Sequence, residues 1–322
     1  MTTVVPAEGA LLDRVLATRA LHDKAGLGAY AYGRYDAALM KTAWGRAHQQ
    51  RFALADAAEL LAGATRYLVA GVLDGRPVRV CAIGDVFTDP VHGGGDDAPR
   101  LVERLLGDAA QEGADLALLF SDMDPIWCDR NGFDKIPTTD IELRVAQSPG
   151  HGAPMTLVRG GEERDLAAIV AMGQVRAAPF RFHLDRDVDF VQYAVTRKRL
   201  RAGLGPAGAQ QLQFFIAEEG VTAAAYVVVS VAGSMWTIEE CGDRDPSGAR
   251  VGAILQALVA REPVERRPSI RGWLPPGFVP PQITIVSAAP SSDVLLVRSL
   301  GSAAAASRLS GGDVLYWRGD LF

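Results

Sequence analysis

The chain has 322 residues, of which 48% are hydrophobic and 22% are charged, a composition typical of folded globular proteins and unlike that of disordered chains. Its length predicts two domains, at about 100–200 residues for each. The 33 basic and 38 acidic residues give a net charge of −5, so the sequence offers no basic excess for the binding of nucleic acid.

Helical and strand-like segments alternate through the first half of the chain. Apolar residues at three- and four-residue steps predict helices, and compact apolar runs predict strands. The predicted helices are residues 10–25, 36–50 and 98–110, with a short helical turn over 125–131. The predicted strands are residues 67–73, 78–87, 116–120 and 141–145. Asp74-Gly75 joins the first two strands and is a hairpin signal.

The same plan begins again after the segment 147–154, whose turn-forming residues make it the best candidate for a linker. Three helices and three antiparallel strands are predicted beyond it. The helices are residues 162–172, 188–204 and 246–261, and the strands are residues 212–218, 221–231 and 235–240. The sequence therefore predicts an α/β protein with mixed, mainly antiparallel sheets, divided into domains over residues 1–146 and 155–322.

One local pattern occurs in both halves. A strand runs to Asp89-Pro90, then to the glycines 93–95, and then to a helix. In the second half a strand runs to Asp245-Pro246, then to Gly248, and then to a helix. Asp-Pro before a helix is favourable capping chemistry in itself, but the repeated order of strand, glycine turn and helix favours a duplicated domain.

Four strings of the first half carry a resemblance to a known family. They are residues 81–92, 101–106, 114–121 and 130–133, the last of which is Arg-Asn-Gly-Phe. The chain resembles the GCN5-related N-acetyltransferase (GNAT) superfamily. Its tandem layout is similar to the enhanced-intracellular-survival type, which carries a degenerate second copy. That family usually has a further C-terminal domain, which we expect to be missing here. The resemblance implies two GNAT-like domains and acyl transfer from acetyl-CoA, or another acyl-CoA, to an amine of a small molecule.

The resemblance also implies where the cofactor lies. The strand before the glycine loop splays from its neighbour, so its backbone pairs with the pantetheine arm, while the loop and the following helix N-terminus receive the pyrophosphate. The implied cofactor-binding residues are Val86, Phe87, Thr88, Gly93, Gly94, Gly95, Ala98 and Ser121.

The glycine loop departs from the family pattern in its charge. It contains no Arg or Lys, Asp96 replaces a motif glycine, and Asp97 adds a second acid. Each like-charge contact with a pyrophosphate at ~4–6 Å costs on the order of 1–4 kcal/mol. Pro99 removes one N–H from the first helical turn. Asp and Pro are also ordinary residues for a helix start, so two hypotheses stay open: an acyl-CoA enzyme, or a GNAT scaffold that has lost coenzyme A binding and has other chemistry or none.

Three residues are candidates for the proton transfers. By position, Cys128 replaces the tyrosine that protonates the leaving thiolate in the family, although a small cysteine that fills a gap would be placed similarly. The C-terminal carboxylate of Phe322 matches the family's base, unless its ring only packs on the surface. Asp85 lies in an apolar strand, where a carboxylate is costly unless it is hydrogen-bonded or near solvent. It is a further candidate for the base or for an anchor of the amine.

Two residues of the segment 180–183, Arg181 and His183, are candidates for contacts with the acceptor substrate, although a strand with Arg181 pointing outward fits the segment as well. His183, Asp185 and Asp187 alternate as metal ligands on an extended segment would, but solvated charge is commoner, and we expect no metal. The string from His92 to Gly95 is found in some esterases, yet the chain has no Gly-x-Ser-x-Gly.

Cellular location is predicted from what the sequence lacks. No apolar run reaches the ~20 residues of a membrane span, and the first residues do not match a signal peptide. The three distant cysteines match neither a disulfide framework nor a zinc ribbon. We therefore expect a cytoplasmic protein without a membrane or nucleic-acid partner. The acceptor, the acyl group and assembly into homo-oligomers stay open.

Overall fold

A computed structural model describes residues 1–23, 26–57, 59–121, 131–146, 157–291, 293–301 and 309–320. The described residues form two mixed sheets with helices packed on them, so the predicted α/β class is confirmed. The helices are α1 (Gly9–Leu21), α2 (Ala29–Leu39), α3 (Ala43–His48), α4 (Asp97–Gln111), α5 (Leu166–Ala177), α6 (Val188–Leu204) and α7 (Ala249–Val259). The strands are β1 (Thr2–Pro6), β2 (Gln49–Asp56), β3 (Glu59–Leu73), β4 (Arg76–Thr88), β5 (Leu116–Ser121), β6 (Asp134–Ile136), β7 (Thr139–Val145), β8 (Leu157–Gly160), β9 (Phe182–Leu184), β10 (Gln211–Glu219), β11 (Thr222–Ala232), β12 (Met235–Asp243), β13 (Ser269–Gly272), β14 (Ile283–Pro290), β15 (Val294–Ser299) and β16 (Val314–Leu315).

The first sheet has the order β1-β2-β3-β4-β5-β15-β6, and β9 adds to it beside β3. It is covered on both faces. On one face, Cys81 and Ile83 of β4 pack in a core with the apolar side of α4. On the other face, Val80 and Ala82 pack in a core with aromatic residues of α2, α3 and α6. This alternation is the two-residue period of a strand that is buried on both faces.

The second sheet has the order β14-β7-β13-β12-β11-β10-β8. The predicted meander of β10, β11 and β12 is confirmed as antiparallel pairs. Helix α7 buries Val251, Ile254, Leu255 and Leu258 in a core with this sheet. A smaller core lies around Tyr226 and Met172, where α5 and α6 pack.

The two sheets exchange strands. Strand β7 belongs to the first half of the chain but lies in the second sheet, between β13 and β14. Strand β15 belongs to the second half but lies in the first sheet, between β5 and β6. A division of the sequence at residues 147–154, which lie outside the described residues, therefore does not divide the sheets.

The segment predicted as one helix over 36–50 differs from the prediction. Helix α2 ends at Leu39, Thr42 accepts a hydrogen bond from the backbone N–H of Gly45 at 3.0 Å to begin α3, and Gln49 already starts β2. An N-capping threonine interrupts the helical periodicity because its side chain satisfies a free N–H of a new first turn. The helical turn predicted over 125–131 falls almost wholly outside the described residues.

Candidate functional site

The two central strands of the first sheet separate at one end. Strands β4 and β5 are parallel and pair from Val80 opposite Leu116 to Ile83 opposite Leu119. Strand β4 then continues to Thr88 with no strand paired to it on that side among the described residues. Backbone groups of residues 84–88 therefore face an open wedge, where an extended, amide-bearing ligand can add as a strand would.

A β-bulge in β4 shapes this wedge. Gly84 opposes Thr65 and Phe87 opposes Gly63, so Asp85 and Val86 together oppose a single residue of β3. Asp85 has φ of 51°, in the left-handed region that is uncommon for residues other than glycine. Bulges and such backbone angles concentrate at functional sites because the surrounding structure must hold them in place.

Charged hydrogen bonds hold the Asp85 carboxylate. Its Oδ1 accepts from Arg19 Nε at 3.0 Å, and its Oδ2 accepts from Arg51 Nη1 at 2.9 Å and from Thr65 Oγ1 at 3.3 Å. Arg51 also donates from Nε to Asp36 Oδ1 at 2.8 Å. These residues come from α1, α2 and β2–β4, so the bulge is the meeting point of most of the first half.

Burial by itself would raise the pKa of Asp85, but the guanidinium groups of Arg51 and Arg19 outweigh it and hold the pKa of this carboxyl well below its usual range. A carboxylate with so low a pKa is a weak proton acceptor. The lowered pKa therefore argues against Asp85 as a general base.

A buried hydroxyl near Asp85 has no hydrogen-bond partner among the described residues. It belongs to Tyr32, whose side chain is fully buried, and burial raises the pKa of this phenol. Arg19 Nη1 is likewise buried and unpartnered within the described chain. Unsatisfied buried donors are rare, and they mark a place where a ligand or water completes the network.

The loop after β4 is built on backbone hydrogen bonds and one tight contact. The Asp89 carboxylate accepts from the backbone N–H groups of Val91 and His92, each at 2.9 Å. A Cβ added at Gly93 would lie 2.4 Å from the carbonyl oxygen of Leu61, so only glycine fits there. Gly95 has open space around it, and Ala98 is buried on the inner face of α4.

The second of the two loop acids, Asp97, is turned into the loop. Its Oδ2 accepts from the backbone N–H of Gly94 at 2.7 Å, and Arg100 Nη1 lies 3.3 Å from its Oδ1. Asp96 is exposed and its side chain makes no capping hydrogen bond. The Asp97 carboxylate thus accepts a backbone hydrogen bond that would otherwise be available to a bound anion.

The second half repeats the same geometry. Strands β12 and β13 are parallel up to Ile238 opposite Gly272, and a bulge in β12 follows at Glu239. The N-terminus of helix α7, which follows, is capped by a side chain of the protein, because the Asp243 carboxylate accepts from the backbone N–H of Arg250 at 2.8 Å. A Cβ at Gly248, where φ is 72°, would lie 2.7 Å from the ring of Phe278. The first half therefore holds the better candidate for a cofactor site.

The chain returns to strand β5, which borders the wedge, at Tyr316. The ring of Tyr316 lies 4.4 Å from that of Phe120 in β5, measured between centroids. Arg197 Nη2 donates to the carbonyl oxygen of Gly319 at 3.1 Å, and the Arg197 side chain is buried. Sequence reasoning missed Arg197 and Tyr316, because their roles depend on contacts between distant segments. It also missed Arg100, although this residue is only three positions after Asp97.

The predicted site residues divide into three groups. Asp85, the backbone of residues 86–88, the glycines 93–95 and Ala98 lie together at the wedge and its loop; Ser121 ends β5, and its side chain is not described. Cys128 and Phe322 lie outside the described residues, so their roles stay predictions. Arg181 and His183 lie elsewhere.

Arg181 and His183 lie beside the far end of the β3–β4 hairpin. Arg181 Nε donates to Asp74 Oδ1 in the hairpin turn at 2.7 Å, and His183 pairs with Val72. Val72 is seven residues along β3 from Thr65, which corresponds to roughly 20 Å at ~3.3 Å per residue. The ion pair with Asp74 places Arg181 away from the wedge.

Comparison with known proteins identifies the fold. No family model matches the sequence, and no curated protein matches it. Among solved structures, a GCN5-related N-acetyltransferase from Kribbella flavida is 15% identical, with a TM-score of 0.67 over 93% of this chain and 71% of that one. Eis1 from Mycobacterium abscessus is 17% identical, with a TM-score of 0.59 over 96% of this chain and 76% of that one.

A structure with lower sequence identity also aligns over most of this chain. N-myristoyltransferase from Saccharomyces cerevisiae, solved with bound myristoyl-CoA, is 9% identical, with a TM-score of 0.55 over 92% of this chain and 82% of that one. The described architecture therefore has the tandem GNAT fold, and the resemblance seen in the sequence is confirmed at the level of the fold.

Three further features of the described residues concern the cysteines, possible metal ligands and possible membrane-spanning helices. Cys81 and Cys241 are free and buried. Within the described ranges, no three His, Cys, Asp or Glu side chains are grouped as a metal site would require. None of the helices in the described part of the chain is long and apolar enough to cross a lipid bilayer.

Proposed function

We propose that the protein is an acyl-CoA-dependent N-acyltransferase that acts on the amine of a small molecule. The observation that carries the proposal is the open wedge of β4 beside β5, where residues 84–88 keep backbone groups free of a strand partner within the described chain. The bulge at Asp85 and Val86 and the glycine loop at the end of β4 support the same function. Structures with this fold include N-acetyltransferases and an N-myristoyltransferase.

In the proposed reaction the amine nitrogen attacks the thioester carbonyl, the C–N bond forms and the C–S bond breaks. The carbonyl oxygen gains negative charge, and backbone N–H groups near Val86 and Phe87 would stabilise it. The amine proton passes to a base, for which the Phe322 carboxylate is the prediction, and the thiolate takes a proton from Cys128 or from water. Asp85 is assigned to anchor the amine, since its low pKa makes it a weak base.

The charge of the loop supports a second candidate, a GNAT scaffold that does not bind coenzyme A. The Asp97 carboxylate accepts from the Gly94 N–H, and no Arg or Lys lies between residues 89 and 99 to offset it. Arg100, one turn into α4, is the nearest cation in sequence, and it is already shared between Asp97 and Thr2. Under this hypothesis the wedge would hold a different ligand.

The two hypotheses are separated by cofactor binding. We would titrate acetyl-CoA into the protein by calorimetry and then follow thiol release with a panel of small amines. The first hypothesis expects saturable binding and amine-dependent thiol release. The absence of both, in a protein whose melting curve is intact, contradicts the acyltransferase proposal.

A matched pair of variants locates the pyrophosphate. Gly95→Arg places a cation in the loop, where the added side chain meets open space. Gly107→Arg places the same charge in the middle of α4, also in open space. We expect about a tenfold tighter binding of acetyl-CoA for Gly95→Arg alone. Equal affinities for the two variants would mean that the loop does not receive the pyrophosphate.

A further inference from the structure

The second half of the molecule contains a cavity that the proposed reaction does not use. Its volume is about 210 Å³, and it lies among α5, β9 and residues 315–320. Its walls are mostly apolar and include Ile169, Val191, Leu315 and Trp317. An apolar cavity of ~150 Å³ is enough to bind benzene, so this one can hold an aromatic ring with a short side chain.

A buried acid, Asp320, is one of the residues that line this cavity. The Asp320 side chain is only 2% exposed. Its Oδ1 lies 3.2 Å from Arg186 Nη2 but accepts no hydrogen bond of good geometry within the described part of the chain. A carboxylate oxygen that is buried without a hydrogen bond is costly, and a donor brought by a ligand would remove that cost.

The cation beside Asp320 is shared. Arg186 donates to both oxygens of Glu240, at 2.8 and 2.6 Å, and Tyr226 OH donates to Glu240 at 2.5 Å. Two carboxylates thus share Arg186, and Arg197, which donates to the neighbouring carbonyl of Gly319, is a second cation near Asp320. Asp185, which is exposed and also lines the cavity, adds a further negative charge, and His183 also contributes to the wall. The acids Asp185, Glu240 and Asp320 outnumber the nearby cations Arg186 and Arg197, so the charges around the cavity favour a positively charged ligand over a negatively charged one.

We propose that this cavity is a binding site for a small hydrophobic amine, whose apolar body packs against Trp317 and Ile169 and whose ammonium group donates to Asp320 Oδ1. Among the described residues that line the cavity, none belongs to β4, β5 or the glycine loop, and His183 lies by the far end of the β3–β4 hairpin. Asp320 stands two residues before the predicted base, Phe322. The inference does not depend on acyl transfer and is tested without any acyl-CoA.

The probe is 2-phenylethylamine, titrated into the full chain by calorimetry beside 2-phenylethanol and 3-phenylpropionate, which carry the same ring. We expect the amine to bind at least tenfold more tightly than the alcohol or the carboxylate, because only the ammonium supplies a charged donor. Asp320→Asn should weaken binding of the amine by tenfold or more. Tighter binding of the carboxylate, or no binding of the amine at all, overturns the proposal.

A second variant tests whether the amine binds in this cavity, and it leaves Asp320 unchanged. Gly173 of α5 lines the cavity and has open space at its Cβ position, so Gly173→Leu should fill the cavity and abolish binding. Gly203→Leu in α6 is the control, because this glycine is exposed and also has open space. Both leucines suit a helix better than glycine does, so both variants should fold. Unchanged amine binding in Gly173→Leu would refute the assignment even if Asp320→Asn failed to fold.

Discussion

The acid at the start of α4 is expected to weaken coenzyme A binding, and Asp97→Asn is the substitution that tests this. Asparagine keeps the size of the side chain and an oxygen that can accept from the Gly94 N–H, a contact of 2.7 Å in the structure. It removes the negative charge. It also releases Arg100, whose Nη1 lies 3.3 Å from the Asp97 carboxylate, for a contact with phosphate.

The magnitude follows from Coulomb's law. Two unit charges ~4 Å apart repel by about 1 kcal/mol in water and by about 4 kcal/mol at an effective dielectric constant of 20. The Asp97 side chain is 13% exposed, which places it between these limits. We therefore expect Asp97→Asn to tighten the binding of acetyl-CoA by at least about tenfold, which corresponds to ~1.4 kcal/mol. The variant also loses a favourable charge at a helix N-terminus, so its melting temperature should fall slightly.

Calorimetric titration of acetyl-CoA is the assay, with Asp108→Asn as the control. Asp108 is on the same helix, pairs with Arg104 at 3.1 Å, and lies ~16 Å along the axis from Asp97. The gain for Asp97→Asn should shrink in 1 M salt, where the Debye length is about 3 Å. Equal affinities for the two variants at low salt, with intact folds, would refute the reasoning that the loop faces the cofactor's charge.

Three further predictions concern stability. Asp85→Asn leaves Arg19 without its carboxylate partner and leaves Arg51 with Asp36 alone, so it should lower the free energy of unfolding by about 3 kcal/mol in urea denaturation. Asp74→Asn in the exposed hairpin should change this free energy little, and equal effects of the two variants would contradict the role of the ion pairs at the bulge. Burial and the charge of Glu240, opposed by Arg186, raise the pKa of Asp320 to about 7, whereas its value in the unfolded chain is ~4. This carboxyl therefore contributes stability that is complete below pH ~4 and is lost as the pH rises through 7. Asp320→Asn should therefore gain stability over the wild type between pH 5 and pH 8, and parallel pH profiles would contradict the shift. Gly93→Ala would place its Cβ 2.4 Å from a backbone carbonyl oxygen and should lower the free energy of unfolding by about 1–3 kcal/mol. Gly95→Ala should not lower the melting temperature, and an unchanged stability of Gly93→Ala would show that the loop can relax.

The sequence predicted the elements whose pattern is local. Helix α4, the β3–β4 hairpin and the meander of β10–β12 have clear periodicities and turn signals, and the structure confirms them. Strands were expected on either side of the segment 272–281, but the bounds of β13 and β14 were not predicted, because that segment is rich in proline and glycine, which obscures where a short strand begins or ends. Pairing between distant strands leaves no local signal, so the exchange of β7 and β15 could not be predicted.

The candidate site divides in the same way. The glycine loop and Asp85 could be found because they stand in a recognisable string. The partners of Asp85 could not, since Arg19 lies on α1 and Arg51 on β2, and neither position differs from any surface arginine in the sequence. The sequence also could not tell which of the two loop acids turns inward, because both suit a helix start. The structure assigns that position to Asp97.

The exchange of strands has a consequence for the protein as it leaves the ribosome. Strand β5 pairs with β4 soon after synthesis, but its other edge waits for β15, which pairs Val294 with Ser121. At ~5–20 residues per second, that interval lasts roughly 10–35 s. During this time an apolar edge of the first sheet has no partner, a situation that invites pairing with other chains. Nascent chains stalled before β15 should therefore be the species that aggregates or recruits chaperones, and release of the full chain should end that exposure.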